Sequence, residues 1–348
     1  MLTALEQGQP GITTTQLSDV ARALSLDPLA LLDGREVSRP VPSVFLRHAQ
    51  LQDFDERDSE VLDEALEQGL SLANLRAMLG EPTLEIHLGA FEQREAPTDR
   101  PEAPAQDGYR LARELRKKLG NPAAPLGDMR ALLEERLGIA ILVRTLKSGH
   151  VTALSIRAGP CAVIVLSAHE SHRAAHPLLR RVDLAHELGH VLGDSSSGGL
   201  HIVIDAVADR RNHAAEQRAR AFAAELLLPL EGLTQVLGPP RGVTEPSAAM
   251  ELVARARSRF GTSHEPAANH LCNLRFIDRN LLDWLKAGHS QFTGQLPVTS
   301  LPEEGAPSQL VAEYVARAHR AELLTDGEAR ALLGMERLAP LPWDEVEL

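Results

Sequence analysis

A short motif in the middle of the chain combines the side chains of a metal centre. His186 and His190 are separated by three residues, and Glu187 directly follows the first histidine, in the pattern HExxH. On a helix, side chains four residues apart share a face, so both imidazoles can reach one Zn²⁺ ion. Glu187 would lie beside the metal, where its carboxylate can take a proton from an attacking water and deliver it to a leaving amine. The motif therefore predicts metal-assisted hydrolysis.

A catalytic zinc site also needs a third protein ligand and an open fourth position. The stretch from Asn212 to Leu228 has helical spacing, and Glu216 lies on one stripe of it with small alanines. Small residues allow two helices to approach closely, so Glu216 is predicted to be the third ligand. Glu225, in a shifted register, and Asp205 remain alternatives for this position.

Further polar residues are candidates for roles around the metal. Asp194 follows His190 by four residues and is expected either to orient its ring through the second nitrogen or to be a solvated residue at a helix end. His201 and His213 are expected either to stabilise an oxyanion or to lie at the surface. A histidine cluster before the motif predicts either a second metal site or a solvated loop: His169, His172 and His176.

Helical and strand-like segments precede the motif and must position it. Tyr109 to Leu119 and Asp128 to Leu137 are predicted helices. Three apolar runs separated by turn residues predict a small antiparallel sheet: Ile139 to Val143, Val151 to Ile156, and Cys161 to Leu166. If the last run is the outer strand of the sheet, it can bind an extended peptide through main-chain hydrogen bonds.

Two segments resemble the ImmA/IrrE family of metallo-endopeptidases. They are Arg180 to His190, which contains HExxH, and Glu216 to Pro229, in which the glutamate stands thirteen residues before the proline of Leu-Leu-Leu-Pro. The similarity extends from Tyr109 to Ala287. It departs from the family pattern at the insertion from Ser195 to Gly199 and at the β-like run from Leu200 to Ile204 that follows.

The resemblance implies a fold, a ligand set and a substrate. The implied fold is zincin-like, with His186, His190 and Glu216 as zinc ligands and Glu187 as the general base. The implied partner is a protein substrate, a helix-turn-helix transcriptional repressor, whose cleavage would relieve repression.

The beginning of the chain carries a second, partial resemblance. Residues from Leu5 to Gly34 resemble the second half of a phage-repressor-type (XRE-like) helix-turn-helix domain. The two helices that form the helix-turn-helix proper in that family would lie upstream of Leu5. Because the module is incomplete, DNA binding is not expected of it.

The predicted fold class is α+β. A zincin-like metallopeptidase domain, with a small antiparallel sheet and the HExxH helix, is flanked by all-α N-terminal and C-terminal regions. The predicted boundaries are 1–35 for the partial helix-turn-helix-like module, 36–90 for a helical spacer, 91–107 for a linker, 108–288 for the metallopeptidase domain, 289–307 for a second linker, and 308–348 for a C-terminal helical segment with an acidic tail.

Composition excludes several classes of protein. The net charge of -12 argues against a protein that mainly coats nucleic acid phosphates. Two distant cysteines, Cys161 and Cys272, cannot build a disulfide scaffold, which favours a cytoplasmic location. The apolar runs are far shorter than a membrane helix, so no membrane partner is expected.

The sequence thus favours a zinc-dependent endopeptidase with Zn²⁺ as its cofactor. The alternative is a DNA-binding transcriptional regulator or antitoxin-like protein that uses the peptidase fold as a sensor.

Overall fold

The computed structural model describes residues 56–80, 104–146, 151–158, 161–168, 176–194, 200–206, 214–288, 293–294, 301–336 and 338–343. All of them belong to the larger of the two units into which the chain divides, Pro42–Leu348. The predicted partial helix-turn-helix module at 1–35 lies outside the described residues and stays a prediction, as do the domain boundaries.

The described residues form four strands and eleven α-helices. The strands are β1 (Ile139–Arg144), β2 (Val151–Ala158), β3 (Cys161–Ser167) and β4 (Leu200–Ala206). The helices are α1 (Glu56–Met78), α2 (Pro104–Lys118), α3 (Met129–Ala131), α4 (Pro177–Gly193), α5 (Ala214–Leu227), α6 (Leu230–Leu237), α7 (Pro246–Phe260), α8 (His264–Asn273), α9 (Leu282–Ala287), α10 (Gln309–Arg320) and α11 (Asp326–Leu332). Helix α2 begins inside the predicted linker, and α3 continues as a π-helical turn, Leu132–Arg136.

The fold is α+β, as predicted, but its sheet is mixed rather than antiparallel. The strand order is β1-β3-β2-β4. Strands β2 and β3 form an antiparallel hairpin and β4 pairs antiparallel with β2, whereas β1 pairs parallel with β3. All six residues of β1 are buried, because helices cover both faces of the sheet. An uninterrupted apolar run is typical of a strand in a sheet covered on both faces.

The prediction that Cys161 to Leu166 forms the outer strand is wrong. These residues lie in β3, which is hydrogen-bonded to β1 on one side and to β2 on the other. Among the described strands, β4 pairs with β2 alone. On the opposite side of the sheet, the amide of Gly305 donates to the carbonyl of Val143 in β1 at 3.1 Å, so chain from the C-terminal region lies beside β1.

The sheet separates two apolar cores. Along β1, Ile139 and Ile141 belong to the core that contains the HExxH helix α4, whereas Ala140 and Leu142 belong to the core on the other face. The first core is completed by α2 and α5, and the second by α1, α10 and α11. Helices α6 to α9 form a third core. The predicted spacer and the predicted C-terminal segment therefore both contribute helices that pack on the sheet.

No helix in the described part of the chain is both long and apolar enough to cross a membrane.

Candidate metal centre

The structure brings the three predicted ligands together. The Nε2 atoms of His186 and His190 lie 3.1 Å apart. One carboxylate oxygen of Glu216 lies 3.1 Å from Nε2 of His190, and the other lies 3.5 Å from Nε2 of His186. All three residues are buried. Among the described residues, this trio is the group of histidine, cysteine and acidic side chains that can hold a metal ion.

Two helices place these donors. Both histidines lie on α4, one turn apart, with their rings 4.7 Å apart between centroids and nearly perpendicular. Glu216 lies in the first turn of α5, where a carboxylate is favoured by the positive end of the helix dipole. The convergence therefore depends on how closely α4 and α5 pack.

A glycine inside the HExxH motif permits that close packing. A Cβ atom at Gly189 would lie 3.0 Å from Cα of Ala219 on α5 and 3.0 Å from the ring of Phe222. Gly189 therefore meets one of the small alanines of the α5 stripe. A larger side chain at Gly189 would force the two helices apart and move Glu216 away from the histidines.

We expect Gly189→Leu to lower the free energy of unfolding of the metal-free protein by about 1–3 kcal/mol, the usual cost of overpacking. Urea unfolding followed by circular dichroism measures this change. Gly327→Leu is the matched control, since Gly327 is also helical but a Cβ atom there meets nothing within 4 Å. Equal stability of the two variants would contradict the close approach of α4 and α5.

The donor set fits a zinc ion. With bonds of about 2.0–2.1 Å, tetrahedral ligand atoms lie about 3.3–3.4 Å apart. The two Nε2 atoms, 3.1 Å apart, lie close to that separation, and each lies within 3.5 Å of a different oxygen of the Glu216 carboxylate. Taken as one ligand atom from each residue, the three donors lie within 4.8 Å of one another. Two imidazoles and one carboxylate are ligands that divalent first-row metals accept, and zinc commonly binds such a set.

The electrostatics of the trio also favour a cation. Burial lowers the pKa of His190, but hydrogen bonds to Asp194 and Glu216 outweigh that effect and raise the pKa to about 10. Burial raises the pKa of Glu216, but hydrogen bonds from His186 and His190 hold it far below the usual value. In the metal-free protein, positive charge is thus stabilised between these side chains.

Asp194 contacts the second nitrogen of His190. Its carboxylate lies 2.6 Å from Nδ1, and its side chain is 3% exposed, so it is not a solvated residue at a helix end. Burial raises the pKa of Asp194, but the hydrogen bond from His190 and the charge of Arg218 lower it overall. A carboxylate in this position keeps the proton on Nδ1 and turns Nε2 towards the metal site.

Glu187 is fully buried on α4, next to His186. Its charge is one of those that raise the pKa of His190, which places the carboxylate in the electrostatic environment of the trio.

The alternative third ligand Glu225 lies in a different cluster. It accepts hydrogen bonds from Arg113 at 2.8 Å and from the amide of Leu230 at 3.3 Å, and it lies 3.4 Å from His270. Burial raises the pKa of Glu225, but the bonds from His270 and Arg113 hold it below the usual value. The other alternative, Asp205, has a side chain outside the described part of the structure.

Of the other histidines named as candidates, only His176 has a described side chain, and it does not belong to the trio. Residue His201 belongs to β4, but its side chain is not described, and His213, His169 and His172 lie outside the described residues. His176 caps the start of α4, because its Nδ1 accepts from the amide of Leu178 at 3.2 Å.

Two arginines near the site were not predicted. Arg220, one turn after Glu216, donates to its carboxylate at 3.1 Å and is 55% exposed. Arg218 bonds to Asp194. The contact between Arg220 and Glu216 could have been predicted from the sequence, since oppositely charged residues four apart on a helix can form ion pairs.

The fold and this trio define a zincin-like α+β domain. In comparison with known families, the model described as IrrE N-terminal-like domain, Peptidase_M78, matches residues 134–271. The matched segment, about two fifths of the chain, contains the sheet, α4 and α5. No curated protein matches the chain significantly. The match supports the resemblance to the ImmA/IrrE family and a peptidase function.

Proposed function

We propose that this protein is a zinc-dependent endopeptidase that cleaves a helix-turn-helix transcriptional repressor and thereby relieves repression. The observation that carries the proposal is the convergence of His186, His190 and Glu216 within 3.1–3.5 Å of one another. The match to a peptidase family over the segment that contains all three residues supports it.

The trio would hold the metal through two Nε2 atoms and a carboxylate oxygen, which leaves a position for water or substrate. Bound zinc supplies a Lewis acid for the scissile carbonyl and lowers the pKa of water. Glu187 accepts the proton of the attacking water at its carboxylate and passes it to the nitrogen of the leaving amine. Asp194 holds the proton on Nδ1 of His190 and so keeps the ring in the orientation that ligation needs.

Strand β4 is the proposed binding edge for an extended peptide, in place of β3. Arg157 of β2 donates to the carbonyl of Val191, the residue after His190, at 3.0 Å. The backbone partner of Arg157 in β4 is His201. The first residues of β4 therefore pair with the part of β2 that contacts α4 beside the trio. A peptide added along β4 would be positioned by main-chain hydrogen bonds.

The choice of a repressor as substrate rests on the resemblance of the peptidase segment to the ImmA/IrrE family. The roles of His201 and His213 in stabilising an oxyanion stay predictions. A regulator that uses the peptidase fold as a sensor is the competing function, and it differs in one measurable respect: it binds metal without cleaving protein.

We expect the purified protein to contain one zinc ion per chain and to cleave a helix-turn-helix repressor encoded beside its gene. Removal of the metal with a chelator should abolish cleavage, because Glu187 alone cannot activate water against a peptide carbonyl at neutral pH without a Lewis acid. One equivalent of Zn²⁺ should restore it, whereas Mg²⁺ should not, since Mg²⁺ prefers oxygen ligands. Elemental analysis and gel electrophoresis measure both quantities.

Zinc binding without cleavage would favour the regulator. Cleavage that survives metal removal would contradict the proposed chemistry.

A further inference from the structure

A chain of charged side chains runs from His190 to a helix that precedes the matched segment. Nδ1 of His190 contacts one carboxylate oxygen of Asp194 at 2.6 Å. The other oxygen of Asp194 bonds to Nη1 of Arg218 on α5. Nε of Arg218 donates to Asp107 of α2 at 2.8 Å. The order of contacts is thus His190, Asp194, Arg218 and Asp107.

The members of this chain are withdrawn from solvent. The side chain of Asp194 is 3% exposed, and the side chains of Arg218 and Asp107 are 17% and 16% exposed. A carboxylate with so little exposure is stable only when hydrogen bonds and an opposite charge replace its water. Arg218 supplies both to the oxygen that His190 leaves unused.

Two glycines make room for Arg218. A Cβ atom at Gly193, the last residue of α4, would lie 2.9 Å from Cδ of Arg218. A Cβ atom at Gly108, next to Asp107, would lie 2.2 Å from the carbonyl oxygen of Arg218. The guanidinium also donates to the carbonyl of Gly193 at 3.2 Å, at the negative end of the α4 dipole. Helices α2, α4 and α5 thus meet closely at this one side chain.

Helix α5 therefore supplies side chains that contact both nitrogens of the His190 ring, one directly and one through Asp194. Glu216 faces Nε2 of His190 directly, and Arg218, two residues later, reaches Nδ1 through Asp194. A shift of Arg218 would free the carboxylate of Asp194 to rotate, and the ring that it holds would lose its fixed orientation.

We propose that Arg218 is a positioning residue of the metal centre, which fixes the ring of His190 through Asp194 and is itself held by Asp107. The proposal rests on the proposed zinc site. It makes the docking of α2, which lies before the segment 134–271, a determinant of zinc affinity. A residue that hydrogen-bonds a metal-ligating histidine directly, as Asp194 does, typically contributes a factor of about 10–100 to metal affinity, and this factor is the upper bound for Arg218.

The competing explanation is that Arg218 only joins helices. The structure offers a matched control for it, because Arg113 of α2 forms an ion pair with Glu225 of α5 at 2.8 Å. That pair joins the same two helices but lies in the cluster of His270, outside the trio. Substitution of either arginine by Met keeps the apolar stem and removes the charge.

The test measures the dissociation constant for Zn²⁺ alone, by competition with a chromophoric chelator, together with urea unfolding of the metal-free protein. We expect Arg218→Met to raise the dissociation constant at least several-fold, up to the factor of about 10–100 that is usual for loss of a direct partner of a ligand. Arg113→Met should lower stability without changing the dissociation constant. In an Asp194→Asn background, Arg218→Met should add no further loss, because residues that act through one another are not additive.

An unchanged dissociation constant in Arg218→Met, or a loss that adds fully to that of Asp194→Asn, would overturn the proposal. If Arg218→Met does not fold, Asp107→Asn takes its place, and we expect a rise of several-fold, whereas no rise would overturn it. A wild-type protein that binds no zinc would instead refute the proposed function, so the two failures are distinguishable.

Discussion

The Glu187→Gln variant is expected to retain one zinc ion per chain and to lose cleavage by about 10²–10⁴-fold, the usual contribution of a general base. The amide has nearly the shape of the carboxylate but cannot accept the proton of the attacking water. Glu187 is fully buried on the helix that carries both histidines, so an isosteric change disturbs the packing least. Zinc content and the initial rate of repressor cleavage are measured on the same sample.

Glu134→Gln is the control for that variant. Glu134 is also buried, but it accepts hydrogen bonds from Ser308 at 2.6 Å and from Arg130 at 3.1 Å, outside the trio. The Glu134→Gln variant should be less stable than the wild type. At a temperature at which it is folded, it should cleave the repressor at the wild-type rate. Undiminished cleavage by Glu187→Gln would remove Glu187 from the mechanism.

The Glu216→Ala variant should lose both zinc and activity. It removes one of three donors, so zinc affinity should fall by more than about 100-fold, beyond the range for residues that only support a ligand. It also removes the carboxylate that faces both imidazoles at 3.1 and 3.5 Å. Competition with a chelator measures the affinity.

Glu225→Ala is the matched control, because Glu225 is a second buried glutamate on the same helix. It pairs with Arg113 and His270, so its loss should reduce stability while zinc binding persists. If Glu216→Ala bound zinc as tightly as the wild type, another residue would have to be the third ligand.

The convergence of His186, His190 and Glu216 could be predicted from the sequence because much of its geometry is local. A spacing of four places both histidines on one helical face, and the same rule pointed to Asp194 beside His190. Glu216 required a longer argument, from the small residues that let α5 approach α4. Gly189 completes that contact from the other helix, which explains why a glycine stands inside the motif.

The order of the strands in the sheet could not be predicted from the sequence. Turn residues correctly predicted the hairpin of β2 and β3, but short connections do not determine which strand β1 pairs with or in which direction. The apolar run of β1 was the available signal for a strand covered on both faces. The strand that lies outermost beside β2 is β4, which the sequence showed only as a β-like run after an insertion.

The contacts of Arg218 with Asp194 and Asp107 could not be predicted from the sequence. Its partner Asp107 is 111 residues away along the chain, in a helix whose start had been assigned to a linker. Charged residues are frequent in both helices, and nothing in their spacing singles out this pair. Long-range ion pairs depend on how helices dock, which a periodic pattern does not specify.

Chain from the C-terminal region lies beside β1, and this has a practical consequence for making shorter versions of the protein. A fragment limited to residues 134–271 would lack Gly305, which bonds to β1, and Ser308, which bonds to Glu134. It would also expose the apolar face of the sheet that α1 and α10 cover. The edge of β1 would lose the chain segment beside it, and an exposed strand edge promotes aggregation. A minimal folded peptidase therefore has to keep both flanks of the matched segment.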